Sequence, residues 1–120
     1  MIRFKQFMIE STEEWQNIDH IHKLAKEHNV ELKTRTYIGN GFQGIYIDYI
    51  GRNSGAKKGS GGKIIDAIVA HVKKHGKEAY LNTTNPKLQN FYHRHGFESM
   101  IKRPYNMFSN TKPEKYNNIP

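Results

Sequence analysis

The sequence predicts a domain of the α/β or α+β class with a mixed sheet. Short runs rich in β-forming residues alternate with amphipathic segments of helical period. A glycine-rich segment, residues 51–62, separates one such strand from the helix that follows it. Asn85-Pro86 places a good N-cap before proline at the first helical position, directly after another strand. Strands that alternate with helices around a glycine loop are typical of a sheet covered by helices.

The segment before the first alternating strand is predicted to hold one strand and one helix. Residues 2–9 read as a short strand. Ser11 and Thr12 precede two glutamates, which is the chemistry that favours a helix start, and apolar residues then recur at helical spacing. We therefore predict a helix that runs to about Glu27.

A hairpin is predicted next. Residues 30–38 alternate between apolar or small and charged side chains, as a half-buried strand does. Gly39-Asn40-Gly41 supplies residues that accept a positive φ in a tight turn. Residues 42–50 are dense in β-branched and aromatic side chains, which predicts a central strand.

The second half of the chain continues the alternation. An amphipathic helix is predicted from Lys63 to about Gly76, a strand over 78–83 and a helix from Pro86 to about Gly96. Residues 97–108 are predicted as one or two final strands. We expect a single domain over 1–108, followed by a polar C-terminal tail over 109–120.

Composition narrows the class of protein. A chain of 120 residues suffices for one compact domain. The sequence contains no cysteine, which excludes disulfides, thiolate metal sites and cysteine nucleophiles. It has no apolar run of about 18 residues and no apolar N-terminal stretch of the signal-peptide type, so we expect a cytoplasmic protein without a membrane partner.

The chain is strongly basic. Its 19 lysines and arginines exceed its 11 aspartates and glutamates by eight charges. Such an excess predicts attraction to a polyanion: nucleic acid, a phosphorylated cofactor or an acidic surface. The alternative is a solvated basic surface that keeps a small protein soluble.

The glycine-rich segment predicts an anion site. In Gly59-Ser60-Gly61-Gly62, small residues let backbone N–H groups approach an anion, and the new helix directs its positive end at the same place. Lys57, Lys58 and Lys63 add point charges. The spacing fits neither a Walker loop nor a Rossmann fingerprint, and a flexible connector is the alternative to a pyrophosphate site.

A second motif gives the loop its context. Asn85, Phe91, Tyr92, Gly96 and Phe97 form the pattern Asn-x5-Phe-Tyr-x3-Gly-Phe after the next strand. With the glycine loop, this order resembles the GNAT superfamily of acyl-coenzyme A-dependent N-acyltransferases. The resemblance extends over 45–97, about half of the chain. It implies an α+β fold with a mixed, mostly antiparallel, twisted sheet and flanking helices.

The resemblance implies an N-acetyltransferase that uses acetyl-coenzyme A (acetyl-CoA). Gly59 and Gly61 fit the two glycine positions of the family's pyrophosphate loop, whereas Ala56 stands where the family has arginine or glutamine. The implied coenzyme-binding residues are Tyr49, Ile50, Lys57, Lys58, Gly59, Ser60, Gly61, Gly62, Lys63, Asn85 and Tyr92. Residues of the central strand would pair with the pantetheine arm like an added strand.

Two residues are catalytic candidates. By resemblance, Tyr92 is the general acid that protonates the departing thiolate. Asp48 is the only carboxylate in its strand, so it is our candidate for removing a proton from the acceptor amine. The alternatives are a tyrosine packed on the apolar face of its helix and a surface aspartate.

Other functions stay open at this stage. One is a basic nucleic-acid-binding module without catalysis, and another is a GNAT-like enzyme that modifies nucleic acid. A family member that binds coenzyme A without chemistry is a third. His71 and His75 stand four residues apart on one helix, yet no glutamate pattern accompanies them and we expect no metal. The acceptor is an unidentified amine, and the protein is expected to be a monomer or homodimer.

Overall fold

The computed structural model describes residues 14–39, 41–102 and 105–109. In chain order the elements are α1 (Asp19–Glu27), β1 (Val30–Gly39), β2 (Phe42–Arg52), α2 (Ser60–Lys74), β3 (Glu78–Leu81), α3 (Pro86–Arg94), β4 (Phe97–Lys102) and β5 (Tyr105–Ser109). The strand predicted over 2–9 lies outside the described residues, as does the predicted tail beyond Ser109.

The strands of the described residues form one five-stranded sheet in the order β1-β2-β3-β5-β4. The pair β2 and β3 is parallel, and the other three neighbouring pairs are antiparallel. The parallel pair is connected through α2, as a crossover between parallel strands requires. The predicted α+β class with a mixed, mostly antiparallel sheet is confirmed.

The sheet buries one core on each of its faces. Strand alternation sends Ile45 and Ile47 of β2 to the side of the helices and Tyr46 to the other side. On the helix side the fully buried stripe of α2 covers the strands, and its members are Ile64, Ile65, Ile68 and Val72. The smaller cluster on the other face consists of Tyr46, Tyr80 and Phe108, with Tyr37 and Phe42 packed against it.

The first predicted helix is interrupted. Residues 14–16 are helical, but residues 17 and 18 are not, and α1 begins only at Asp19. The Asn17 side chain accepts a hydrogen bond from the Asp19 backbone N–H at 3.1 Å. Asparagine competes with helical hydrogen bonding in this way, so one continuous helix to Glu27 was a wrong prediction. Trp15 before the break and Ile18 within it are nevertheless buried in the core.

The first residues of α2 and α3 are determined by glycines and by a capping side chain. Helix α2 starts at Ser60, three residues before the first residue predicted from apolar period, because glycines carry no periodic signal. Asn85 caps α3 as predicted, since its Oδ1 accepts hydrogen bonds from the N–H groups of Lys87 and Leu88 at 2.9 and 3.4 Å. Among the described helices, none combines the length and apolar character that a bilayer crossing needs.

Strand β3 is two residues shorter than predicted. It ends at Leu81, and the backbone groups of Thr83 bond to side chains instead of a neighbouring strand. Thr83 N–H donates to Asn106 Oδ1 at 3.0 Å, and Thr83 C=O accepts from Asn106 Nδ2 at 2.7 Å and from Gln89 Nε2 at 2.9 Å. These bonds end the strand because they occupy the groups that a longer ladder would use.

Ser109 belongs to the sheet. From the sequence we predict Ser109 at the start of the polar tail, whereas it is the last residue of β5 and only 1% exposed. Its Oγ accepts a hydrogen bond from the buried Ala79 N–H at 2.8 Å. A short polar side chain is therefore held inside by the need to satisfy a backbone donor.

Replacing Ser109 by alanine tests this position. The Ala79 N–H would lose its acceptor inside the sheet, so we expect Ser109→Ala to lower the free energy of unfolding by about 1–3 kcal/mol. Urea denaturation measures the change. Ser54→Ala, at an exposed residue, is the control and should stay within about 0.5 kcal/mol of the wild type. Equal stability of the two variants would contradict the buried hydrogen bond.

Candidate functional site

A groove opens where β2 and β3 separate. The two strands pair at only three positions, from Gly44 with Glu78 to Tyr46 with Tyr80. Strand β2 continues to Arg52, and beyond Tyr46 it has no ladder partner on its β3 side among the described residues. The extended backbone of residues 47–50 therefore borders an opening in the sheet instead of a neighbouring strand.

Three elements enclose the groove, which has a volume of about 610 Å³. They are the end of β2, the loop and first turns of α2, and the outer part of α3. The lining residues are Ile50, Gly51, Arg52, Lys58, Gly59, Gly61, Gly62, Lys63, Asp66, Leu88, Phe91, Tyr92, Arg94 and His95.

The N-terminus of α2 presents open backbone to the groove. Gly59, its N-cap, has φ +89°, a conformation that other residues adopt only with strain. A Cβ at Gly59 or Gly61 would meet no atom within 4 Å. The first hydrogen bond within the helix runs from Lys63 N–H to Gly59 C=O at 3.2 Å. The N–H groups of Gly61 and Gly62 have no acceptor in the described part of the chain.

Tyr92 combines a packed ring with a groove-facing hydroxyl. Its ring centroid lies 5.2 Å from that of Phe91 and 5.6 Å from that of Phe97, and the residue is 7% exposed. The hydroxyl has no hydrogen-bond partner among the described residues. No side-chain polar atom there is both buried and unpartnered, so this oxygen reaches the groove surface. Burial raises the pKa of the Tyr92 hydroxyl above its ordinary value of about 10.

An aspartate–histidine pair that was not predicted from the sequence also lines the groove. His95 Nδ1 lies 2.7 Å from Asp66 Oδ1, and the imidazole packs 4.7 Å from the Phe91 ring. A Cβ on Gly62 would lie 2.8 Å from His95 Cε1, so glycine is what allows the ring to approach α2. Asp66 and His95 are 29 residues apart, which leaves no local pattern. Gly62 gives no signal either, because it stands in the glycine-rich segment before the predicted start of the helix at Lys63.

Most of the predicted coenzyme-binding residues converge on this groove. Ile50, Lys58, Gly59, Gly61, Gly62, Lys63 and Tyr92 all line it. Lys57 and Ser60 line a neighbouring recess that shares Lys58, Gly59 and Lys63 with the groove. Asn85 lines neither cavity, because its side chain is used as the helix cap.

Asp48 and Tyr49 do not line the groove. In β1, Lys33 pairs with Tyr49 and the next residue, Thr34, pairs with Ile47. Asp48 is therefore the extra residue of a β-bulge. Its carboxylate accepts a hydrogen bond from Arg35 Nε at 3.1 Å, and the Arg35 guanidinium lies 4.5 Å above the Tyr46 ring. Both catalytic candidates are therefore near the strand opening, but on opposite faces of the sheet. The general-base role of Asp48 stays a prediction.

The histidine pair of α2 has structural contacts. The rings of His71 and His75 are 4.9 Å apart, and His71 Nε2 lies 2.9 Å from the Trp15 carbonyl oxygen. Within residues 14–39, 41–102 and 105–109, no group of three or more histidine, aspartate or glutamate side chains is arranged to hold a metal ion.

Comparison with known proteins gives a distant likeness. No family model matches the chain, and no curated protein does. A chain of the KacTA–DNA complex is 16% identical over 73% of this chain and 59% of that chain, with a TM-score of 0.44. A chain in the structure of a tyrosine-to-phenylalanine mutant of the AtaT toxin, bound to the C-terminus of the antitoxin AtaR and acetyl-CoA, is 13% identical. That match covers 75% of this chain and 61% of the other, with a TM-score of 0.43.

The chain spans about three fifths of the length of these two structures. A likeness of this size assigns no family. The function proposed below therefore rests on the site itself.

Two glycine-to-alanine substitutions in the first turn of α2 test the close approach of His95. Gly61→Ala meets open space, so it should raise the free energy of unfolding by up to about 1 kcal/mol through helix propensity. Gly62→Ala should lose that gain, because the His95 ring must leave its rotamer at a cost of about 0.5–1.5 kcal/mol. Urea denaturation compares the two, and equal gains would show that the ring does not pack on Gly62.

Proposed function

We propose that this protein is an N-acyltransferase that transfers an acetyl group from acetyl-CoA to an amine. One observation carries the proposal: the open N-terminus of α2 and the Tyr92 hydroxyl border the same groove, at the point where β2 and β3 separate. An anion cradle can hold the diphosphate, a free strand edge can pair with the pantetheine amides, and a proton donor can protonate the leaving thiolate.

The residues at the N-terminus of α2 fit a diphosphate. The Gly61 and Gly62 N–H groups are unpaired donors, and the absence of a Cβ at Gly59 and Gly61 leaves room for phosphate oxygens beside the backbone. The helix dipole favours negative charge at this end. Lys58 and Lys63 line the same wall and add positive charge.

The free edge of β2 suits the pantetheine arm. Pantetheine is an extended chain with two amide groups, so it can pair with backbone N–H and C=O groups in the manner of an added strand. Residues 47–50 offer such groups on the side where the β3 ladder has stopped. A backbone N–H on this edge would also stabilise negative charge on the thioester oxygen during acyl transfer.

Acetyl-CoA supplies an activated acyl thioester when it is bound. The protein holds the thioester beside Tyr92 in the orientation that the reaction requires. Such positioning accounts for much of the rate gain in direct transfer. As the acceptor nitrogen forms its bond to the acyl carbon and the C–S bond breaks, the Tyr92 hydroxyl donates a proton to sulfur. Burial raises the pKa of Tyr92, which favours the protonated hydroxyl that this step requires.

The acceptor nitrogen must lose a proton before or during attack. Asp48 is our candidate base, acting through water from the other face of the sheet, where its carboxylate is 39% exposed and paired with Arg35. The strand opening gives both faces access to the end of β2. The acceptor itself is an unidentified amine.

A nucleic-acid-binding module without catalysis is the competing function, and the net charge of +8 favours it. It predicts nucleic-acid affinity that falls steeply with salt and indifference to coenzyme A. A titration with coenzyme A therefore distinguishes the two functions.

Acetyl-CoA should stabilise the folded protein. At a ligand concentration one hundred times Kd, the gain in free energy of unfolding is about 2.7 kcal/mol, measured as a rise in Tm. Gly61→Glu should abolish the rise, because its carboxylate repels the diphosphate. Gly39→Glu, in the hairpin and away from the groove, is the matched control and should keep the full rise. No rise in the wild type would contradict coenzyme binding.

Tyr92→Phe should lower kcat for acetyl transfer by about a hundredfold or more and leave the Kd of acetyl-CoA nearly unchanged. The variant removes the proton donor and keeps the packed ring. Tyr37→Phe, on the other face of the sheet, is the control for tyrosine substitution. Steady-state kinetics and calorimetry give the two quantities. An unchanged kcat in Tyr92→Phe would remove Tyr92 from the mechanism.

A further inference from the structure

A second basic cavity lies against the proposed diphosphate site. This recess, of about 460 Å³, is formed by the end of α1 and the loop that precedes α2. It shares Lys58, Gly59 and Lys63 with the groove, so the two cavities meet at the N-terminus of α2. A ligand with its diphosphate in the groove can extend directly into the recess.

Ser60 supplies an unused hydrogen-bonding group in this recess. The residue is 4% exposed, and its Oγ has no hydrogen-bond partner among the described residues. Because no side-chain polar atom in that part of the chain is both fully buried and unpartnered, the Ser60 hydroxyl reaches the recess that it lines. A nearly buried hydroxyl without a protein partner is a donor available for a ligand oxygen.

The charges of the recess match a phosphate monoester. Lys57, Lys58 and Lys63 line it together with one carboxylate, that of Glu27, which leaves two excess positive charges. None of the three lysines forms an ion pair in the described ranges. A phosphate monoester carries about −1.5 to −2 at pH 7, and lysine ammonium groups bind it as point charges.

Backbone hydrogen bonds hold the segments that form the recess. Ser60 N–H donates to the Lys57 carbonyl oxygen at 3.1 Å, which holds Lys57 and Ser60 on one turn. On the opposite wall, Asn53 N–H donates to the carbonyl oxygen of Asn29 at 2.8 Å and ties the loop to the end of α1. The recess is therefore built from two segments that are joined by hydrogen bonds.

We infer that this recess binds the 3′-phosphate of coenzyme A and so makes the protein selective for coenzyme A over its 3′-dephospho form. The inference rests on the proposed function. Coenzyme A has one phosphate monoester besides its diphosphate, on the ribose of the same nucleotide, and the recess adjoins the proposed diphosphate site. The Ser60 hydroxyl and the lysine ammonium groups donate to the monoester oxygens.

Calorimetric titration of coenzyme A and 3′-dephospho-coenzyme A tests this selectivity. The wild type should bind coenzyme A at least tenfold more tightly. Lys57→Ala, at an exposed position, and Ser60→Ala should each weaken coenzyme A binding severalfold and leave the affinity for the 3′-dephospho form unchanged. Lys74→Ala removes the same charge from the exposed far end of α2 and should preserve the wild-type ratio.

Each result has a defined meaning. Equal wild-type affinities for the two coenzymes would overturn the 3′-phosphate site and leave the proposed function intact. Failure of the wild type to bind either coenzyme would overturn both. Calorimetric binding of inorganic phosphate that Lys57→Ala abolishes, together with equal coenzyme affinities, would identify the recess as a site for free phosphate instead. Thermal unfolding without ligand verifies that Ser60→Ala is folded.

Discussion

The short parallel pairing of β2 with β3 is the constraint on which the site depends. Only three residue pairs join the two strands, because β3 has four residues and β2 has eleven. The side chains of Asn106 and Gln89 occupy the backbone groups of Thr83, which a longer β3 would have used for pairing. Asn85 then caps α3 and turns the chain away. The opening beside β2 thus follows from the early end of β3 and from the turn of the chain into α3.

The same turn determines where Tyr92 lies. Helix α3 starts at Pro86 and carries Tyr92 in its last turns, where the ring packs against Phe97 of β4. Packing of the ring and access of the hydroxyl are compatible because only the tip of the side chain faces the groove. On the facing wall, α2 directs unpaired N–H groups into the same space, and nearby lysines stay solvated until an anion arrives.

Local patterns in the sequence predict the elements and part of the site. The hairpin, the amphipathic α2 and the Asn85 cap follow from periodicity and from side-chain chemistry within a few residues, and the structure has each of them. Glycine-rich sequence before a helix is likewise a local signal, and its residues do border one groove. Asp48 could be recognised as the only carboxylate of its strand, but the bulge that sets its direction depends on register with β1.

Contacts between residues that are far apart in the sequence could not be predicted from it. Asp66 and His95 meet across 29 residues, and Ser109 and Ala79 across 30, and neither pair leaves a periodic or motif signal. The break before α1 depends on one asparagine side chain competing with the helical backbone. In each case the structure depends on a contact between two particular atoms, which composition and pattern do not encode.

We propose that coenzyme A lies between the first turn of α2 and the free edge of β2. Titration of the ¹⁵N-labelled protein with coenzyme A, followed by amide chemical shifts, tests it most directly. We expect the largest shifts at the amides of Gly59, Gly61 and Gly62 and along residues 47–50. If saturating coenzyme A left the chemical shifts of these amides unchanged, or changed only those on the β4–β5 side of the sheet, the proposed binding site would be contradicted.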